Sequence, residues 1–223
     1  MLQRLKPIVL AAILAWLLPF SVPLLAELLI SEALLQKIEN EYDSDARQRV
    51  EAWQALMLEG KDLTDHEKLT VVNDFFNSNV LFVDDILLWN QEDYWATPIE
   101  MLSIGAGDCE DYSIAKYFTL KQLGVDEDKL RITYVKATNL NQAHMVLTYF
   151  ENRRAIPLVL DNLINEIKPA NRRQDLIPVY SFNGTGLWLA KSRGEGQRVG
   201  DASRLSLWED LAARMRAESA ISR

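Results

Sequence analysis

Near residue 130 the spacing of apolar residues in this chain changes from three or four to two, which limits the fold more than any other feature. Before the change, Leu28, Leu29, Leu34, Leu35 and Ile38 form one stripe, and Val50, Trp53, Leu56 and Met57 form the next. These stripes predict two helices over residues 28–59, broken near Asp43-Ser44-Asp45. Thr64, with Glu67 three residues on, is a capping box. It opens a helix to about Asn79 with Leu69, Val72, Phe75 and Phe76 inward. LFVDDILLWN and EDYWATP make an aromatic-rich connection that Pro98 ends, and IEMLSI is a short helix. CEDYSIAKYFTLKQLG places Ile114, Tyr117, Phe118 and Leu123 at helical spacing, with Gly124 as its stop.

From Arg131 onward, RITYVKA, AHMVLTYF and AIPLVLD read as strands, and VYSF and LWLA flank the turn residues Asn183 and Gly184 of a hairpin. Residues 191–203, KSRGEGQRVGDAS, hold three glycines and no apolar stripe, and predict a mobile loop. From about Ser203 an amphipathic helix carries Leu205, Leu207, Trp208, Leu211 and Met215. Helices first and antiparallel strands after them predict an α+β fold rather than a parallel α/β sheet.

The 223 residues, 48% of them hydrophobic, suffice for one domain with a real core. Residues 1–26 stand apart, with Arg4 and Lys6 ahead of an apolar run from Ile8 to Phe20 and a small residue at Ala26. This is the pattern of a secretory signal, although Leu24 makes the cleavage site imperfect and an uncleaved anchor stays open. The expected organisation is therefore a signal or anchor at 1–26 and a single domain at 27–223. A net charge of −8 argues against nucleic acid as a main partner, because phosphate binding needs a basic surface.

An exported chain with one cysteine forms no internal disulfide, so its thiol is either buried or used. That cysteine, Cys109, lies in GDCEDY, where nearby carboxylates raise a thiol pKa and the start of a helix lowers it. Of the two histidines, His66 sits on a polar helix start and reads as a solvated surface residue. His144 opens a strand, and Asp161 ends the next apolar run seventeen residues later. A cysteine nucleophile needs an imidazole to take its proton, and the imidazole needs a carboxylate to orient it. Spacing alone leaves this grouping open, since the three residue types occur in almost any chain.

The run DYWATPIEMLSIGAGDCEDYSIAKYFTLKQLG, then NQAHMVLTYF, then LDNLINEIKP, resembles the bacterial transglutaminase-like cysteine proteinases over roughly residues 35–190. The resemblance implies a papain-like or transglutaminase-like fold, with Cys109 as nucleophile, His144 as general base and Asp161 as orienting acid. It also implies a calcium ion beside the nucleophile, held by Asp108, Glu110 and Asp111. Read by themselves these acids fit a solvated helix start equally well, and they do not match an EF-hand loop. For the oxyanion of an acyl intermediate, the Cys109 N–H is one candidate donor. Trp95 Nε1–H, or a polar group near Asn90, is a second, with core packing as the alternative role for Trp95 and for Trp89.

By the same resemblance, the chain is a calcium-dependent periplasmic cysteine endopeptidase. The implied substrate is the N-terminal retention module of a large surface adhesin, cut at a two-alanine site so that the adhesin is released and a biofilm disperses. The implied inhibitory partner is the periplasmic domain of an inner-membrane cyclic-di-GMP receptor. Two other readings remain: acyl transfer of the transglutaminase or amidase kind by the same three residues, and a non-catalytic calcium-binding module.

Overall fold

The computed structural model describes residues 30–190 and 196–221. The expected signal or anchor at 1–26, with Leu28 and Leu29, lies outside these residues, as do 191–195. Helix α1 (Glu32–Glu41) starts at the cap Ser31, and α2 (Ser44–Glu59) follows at once. The break between them is a cap: Asp43 Oδ1 accepts the Ala46 N–H at 2.7 Å. Helix α3 (Asp65–Asn79) opens on the Thr64–Glu67 capping box read from the sequence. A two-residue strand β1 (Leu81–Phe82) and the single turn α4 (Asp85–Leu88) then lead into the aromatic connection.

Helix α5 (Pro98–Ile104) begins on a second capping box, Thr97 with Glu100. Strand β2 (Ala106–Gly107) pairs in parallel with β1 and feeds directly into α6 (Cys109–Gln122). The remainder is an antiparallel sheet of β3 (Leu130–Ala137), β4 (Gln142–Tyr149), β5 (Leu158–Leu160), β6 (Lys168–Pro169), β7 (Leu176–Asn183), β8 (Gly186–Leu189) and β9 (Gln197–Gly200). Its order is β6-β5-β4-β3-β7-β8-β9, so two adjacent strands near its centre carry the chain from Leu130 to Tyr149. A last helix, α7 (Ser206–Ile221), packs back on the helical layer, with Trp208 stacked on Phe118 at 5.6 Å.

Helix α6 lies between the sheet and the other helices and is buried all round rather than along one stripe. Ile114, Ala115, Tyr117 and Leu120 are fully buried against Leu69, Val72 and Phe76 of α3 and Ile132, Leu147 and Phe182 of the sheet. The polar residues on its far side are buried too, and each finds partners: Thr119 accepts the Trp53 indole N–H at 2.9 Å and donates to Ala115 O. A second, smaller cluster of Val135, Val146 and Val159 lies on the opposite face of the sheet, where Ala170 and Leu176 cover it.

The loop expected over 191–203 is corrected in its described part. Residues Gln197–Gly200 pair with β8, and Ala202–Arg204 form a short 3-10 helix. An edge strand needs only main-chain pairing on one side, so it shows no apolar alternation to read. Arg198 adds side-chain ties to Thr185 O and to Asp201, both at 2.6 Å.

Replacing Leu120, fully buried in α6, by Ala should cost about 2–5 kcal/mol of unfolding free energy through lost burial and a residual cavity. Thr64→Ala, which removes only the α3 cap, should cost about 1 kcal/mol. Urea denaturation of the two variants measures both, and a reversed ranking would contradict the packing described.

Candidate active site

The backbone that presents Cys109 is set by two glycines. Gly105 ends α5 in the left-handed region at φ 73°, which favours glycine, and a Cβ there would come within 2.8 Å of the Arg49 guanidinium. That guanidinium donates to Leu102 O at 2.7 Å and Ser103 O at 3.0 Å, satisfying the last carbonyls of α5. Gly107 lies so close to Asp111 that a Cβ there would sit 2.7 Å from Asp111 Oδ2. Asp111 is fully buried and accepts two main-chain N–H groups, from Ala96 at 2.7 Å and from Asp108 at 3.2 Å. It thereby ties the Trp95–Thr97 segment to the first turn of α6.

Helix α7 clamps the same segment from outside. Arg214 donates to Trp95 O at 2.6 Å, pairs with Glu100, and lies over the Tyr94 ring at 4.4 Å. Glu218 accepts the Thr97 hydroxyl at 2.6 Å.

Cys109 is the first residue of α6 and is partly buried. Its thiol donates to Glu110 at 2.9 Å and lies against the main-chain N–H of Met145, the residue after His144. Burial, then Glu110 and Asp108, hold this thiol well above its ordinary range, outweighing the Met145 N–H. His144 is 5% exposed, and its Nε2 meets Asp161 Oδ1 at 2.8 Å, which leaves Nδ1 as the ring nitrogen free of that bond. The sheet register explains the meeting. Leu147 pairs with Leu160, so the next position, Asp161, faces Val146, with His144 its diagonal neighbour on the same face.

Asp161 is held at both ends. Its Oδ1 also accepts the Leu163 N–H at 3.0 Å, and its Oδ2 accepts Arg173 Nη2 at 2.7 Å. Its carbonyl accepts Asn77 Nδ2 at 2.8 Å and the buried Lys116 Nζ at 3.2 Å. Burial pushes the Asp161 carboxyl up, but His144, the Leu163 N–H and Arg173 outweigh it and bring it down to about 2.

The acids around Cys109 have the opposite balance. Asp108, Glu110 and Asp111 are joined by Asp85 and Asp93 from the aromatic connection. Ligand atoms of Asp85, Asp108 and Asp111 lie within 4.8 Å of one another, as do those of Asp85, Asp93 and Glu110. The donors they meet are main-chain N–H groups, a thiol and an indole: Tyr94 N–H to Asp85 at 2.5 Å, Ala96 and Asp108 N–H to Asp111, Cys109 to Glu110, and Trp95 to Asp93. Burial first, and then the neighbouring acids, raise Asp85 to about 6 and push Asp93, Asp108 and Asp111 up as well. Asp85 Oδ1 and Asp108 Oδ1 are buried with no hydrogen-bond partner among the described residues. Orphaned carboxylate oxygens beside further carboxylates are the donor set that a hard dication such as calcium takes.

Asp85 and Asp93 were not foreseen as part of this cluster, because nothing in VDDILL or QEDYW separates a buried acid from a solvated one. Trp95, the second candidate oxyanion donor, is 4% exposed and stacked on Phe182 at 5.5 Å, and its indole N–H serves Asp93. Trp89 packs on Tyr94 at 4.3 Å. His66 is solvated, as its place in the capping box predicts.

The sequence profile of the bacterial transglutaminase-like cysteine proteinase family, BTLCP, matches residues 38–189. Three solved structures of Legionella pneumophila LapG are similar at 44% sequence identity. The EGTA-treated form superimposes with a TM-score of 0.73 over 84% of this chain and 98% of that one, and a second structure with 0.72 over the same shares. The calcium-bound form gives 0.71 over 83% of this chain and 99% of that one. No curated protein matches the chain significantly.

A carboxyl held lower in the folded than in the unfolded state adds stability above its unfolded pKa, and that stability is lost as pH falls through the folded value. For Asp161, taken from 3.8 to about 2, this amounts to roughly 2 kcal/mol, present above about pH 4 and lost toward pH 2. Unfolding free energies measured across that window should fall less steeply for Asp161→Asn than for the unsubstituted protein. Equal slopes would contradict the assignment of the charge.

Proposed function

The chain belongs to the bacterial transglutaminase-like cysteine proteinases, and from that membership we propose a calcium-dependent periplasmic cysteine endopeptidase with Cys109 as nucleophile, His144 as general base and Asp161 as orienting acid. The observation that carries the reading is the placement of Cys109 at the start of α6, against Met145. Met145 follows His144 in the strand, and the His144 imidazole is already fixed through Nε2 by Asp161. With Nε2 so held, Nδ1 takes the thiol proton and the sulfur attacks the scissile carbonyl carbon. The carbonyl oxygen becomes an oxyanion, and the unpaired N–H groups in the first turn of α6, that of Cys109 first, are placed to receive it. When the C–N bond breaks, the imidazolium returns its proton to the leaving amine. Water then hydrolyses the thioester by the same exchange of protons.

Asp85, Asp108, Glu110 and Asp111 would hold the calcium ion, with Asp93 at the edge of the group. When bound, the ion supplies positive charge beside the thiol in place of the mutual repulsion of these acids. The substrate we infer is the N-terminal retention module of a large surface adhesin, cut at a two-alanine site to release it and promote biofilm dispersal. The inhibitory partner is the periplasmic domain of an inner-membrane cyclic-di-GMP receptor. The basic and apolar pattern of residues 1–26 and the specific GAGDCEDY and QAHMVL blocks support this setting.

The protein, mixed with the N-terminal fragment of a candidate adhesin from the same genome, should make one defined cut in calcium. It should make none with chelator or as Cys109→Ala. Product masses corresponding to hydrolysis distinguish an endopeptidase from an acyl transferase. Undiminished cleavage in excess chelator would overturn the metal assignment, and a functional Cys109→Ala would overturn the nucleophile.

Thermal unfolding tests the ion separately from activity. Calcium at about 100 times its dissociation constant should stabilise the protein by about 2.7 kcal/mol. Asp108→Asn should raise the melting temperature in chelator, by easing the repulsion, and shrink the calcium-dependent gain. A gain of undiminished size would remove Asp108 from the ligand set.

A further inference from the structure

We propose that Arg173 is a positioning residue for the reaction: it fixes the rotation of the Asp161 carboxylate, and through it the imidazole of His144. This rests on the reading of Asp161 as the acid that orients His144.

Arg173 stands on the segment that runs from the edge strand β6 to β7, just after the 3-10 turn Ala170–Arg172. Ala170 and Leu176 of this segment pack on Val135, Val146 and Val159, which holds the crossing chain under the strand ends that carry His144 and Asp161. The side chain of Arg173 is 2% exposed and that of Asp161 fully buried. Arg173 Nη2 donates to Asp161 Oδ2 at 2.7 Å, so Oδ1 is the oxygen left to His144 Nε2 and the Leu163 N–H.

The guanidinium is fixed in turn by Asp175. Nε meets Asp175 Oδ1 at 3.0 Å, and Nη2 meets Asp175 Oδ2 at 2.8 Å. This is the two-point geometry that a planar guanidinium offers a carboxylate and a lysine ammonium does not. A relay of contacts therefore runs from His144 through Asp161 and Arg173 to Asp175, which is 25% exposed on its side chain.

Two features argue for a role beyond packing. Arg173 Nη1 is buried with no hydrogen-bond partner among the described residues, and an orphaned buried donor weakens a fold. An apolar residue of similar shape avoids that cost; what it cannot do is assign one carboxylate oxygen to the histidine. The relay also keeps the charge count of a lone aspartate, since Asp161, Arg173 and Asp175 sum to one negative charge, while moving the solvated end away from the imidazole.

The test combines cleavage kinetics with proton NMR of the whole, calcium-loaded protein. The chain has only two histidines, so the downfield proton of His144 Nε2 is identified against His66→Gln. In Arg173→Gln, kcat should fall on the order of 10- to 100-fold, since small misplacements of catalytic groups cost that much, with KM little changed. The downfield resonance should move or vanish, and Arg173→Lys should restore part of both. Asp175→Asn, nearer the surface, should lower kcat several-fold and shift the same resonance, and it serves if Arg173→Gln does not fold. An unchanged kcat and resonance would overturn the proposal. So would losses in kcat, KM and melting temperature with the resonance left in place. If the unsubstituted protein cleaves nothing, the endopeptidase reading fails, and the resonance of the variants still decides the role of Arg173.

Discussion

The candidate site depends on the buried carboxylate of Asp111, which ties the start of α6 to the connection before it. Asp111 has no exposed surface, and it spends its two oxygens on main-chain N–H groups, one from the connection at Ala96 and one from the helix start at Asp108. Those two bonds fix where α6 begins, and so where Cys109 stands. They also explain Gly107, because any side chain there would occupy the space of that carboxylate. The helix start, the tight glycine strand and the aromatic segment are thus three consequences of burying one acid.

Around Cys109 the fold keeps two groups of carboxylates in opposite electrical states. Asp161 is surrounded by an imidazole, a guanidinium and a main-chain donor, and it stays charged well into acid. Asp85, Asp108 and Asp111 are crowded by one another and by Glu110, and are held toward their protonated forms. Burial acts on both groups in the same sense, so the difference lies in what faces them. The first group is complete within the chain. The second is a set of oxygens whose mutual repulsion a dication would relieve. The thiol lies between the two, hydrogen-bonded to Glu110 on one side and touching the strand of His144 on the other.

Much of the fold was legible because it follows local rules. The cap at Thr64, the break near Asp43, the stop at Gly124 and the change of period near residue 130 all act within a few residues, and they place most of the helices and strands. Strand β9 was missed because an edge strand such as QRVG is held by its neighbour's main chain rather than by its own pattern. Within the site, Cys109 at a helix start could be read, since helix periodicity begins there. The approach of His144 to Asp161 could not, because it depends on the pairing of Leu147 with Leu160 across a connection of undetermined length. Asp85, Asp93 and Arg173 were invisible for a further reason: nothing local tells a buried charge from a solvated one, and all three act only through tertiary contacts.

The clamp made by α7 has a consequence for the order in which the site comes into being. Arg214 and Glu218 grip Trp95, Thr97 and Glu100, yet they are synthesised more than a hundred residues later. While the chain is being made, the thiol, the imidazole and every acid of the cluster emerge before the helix that pins the wall beside them. A nascent chain therefore carries all the reactive groups without the brace that sets their spacing. The wall beside the site is complete only with the last helix in place, however early the cysteine appears.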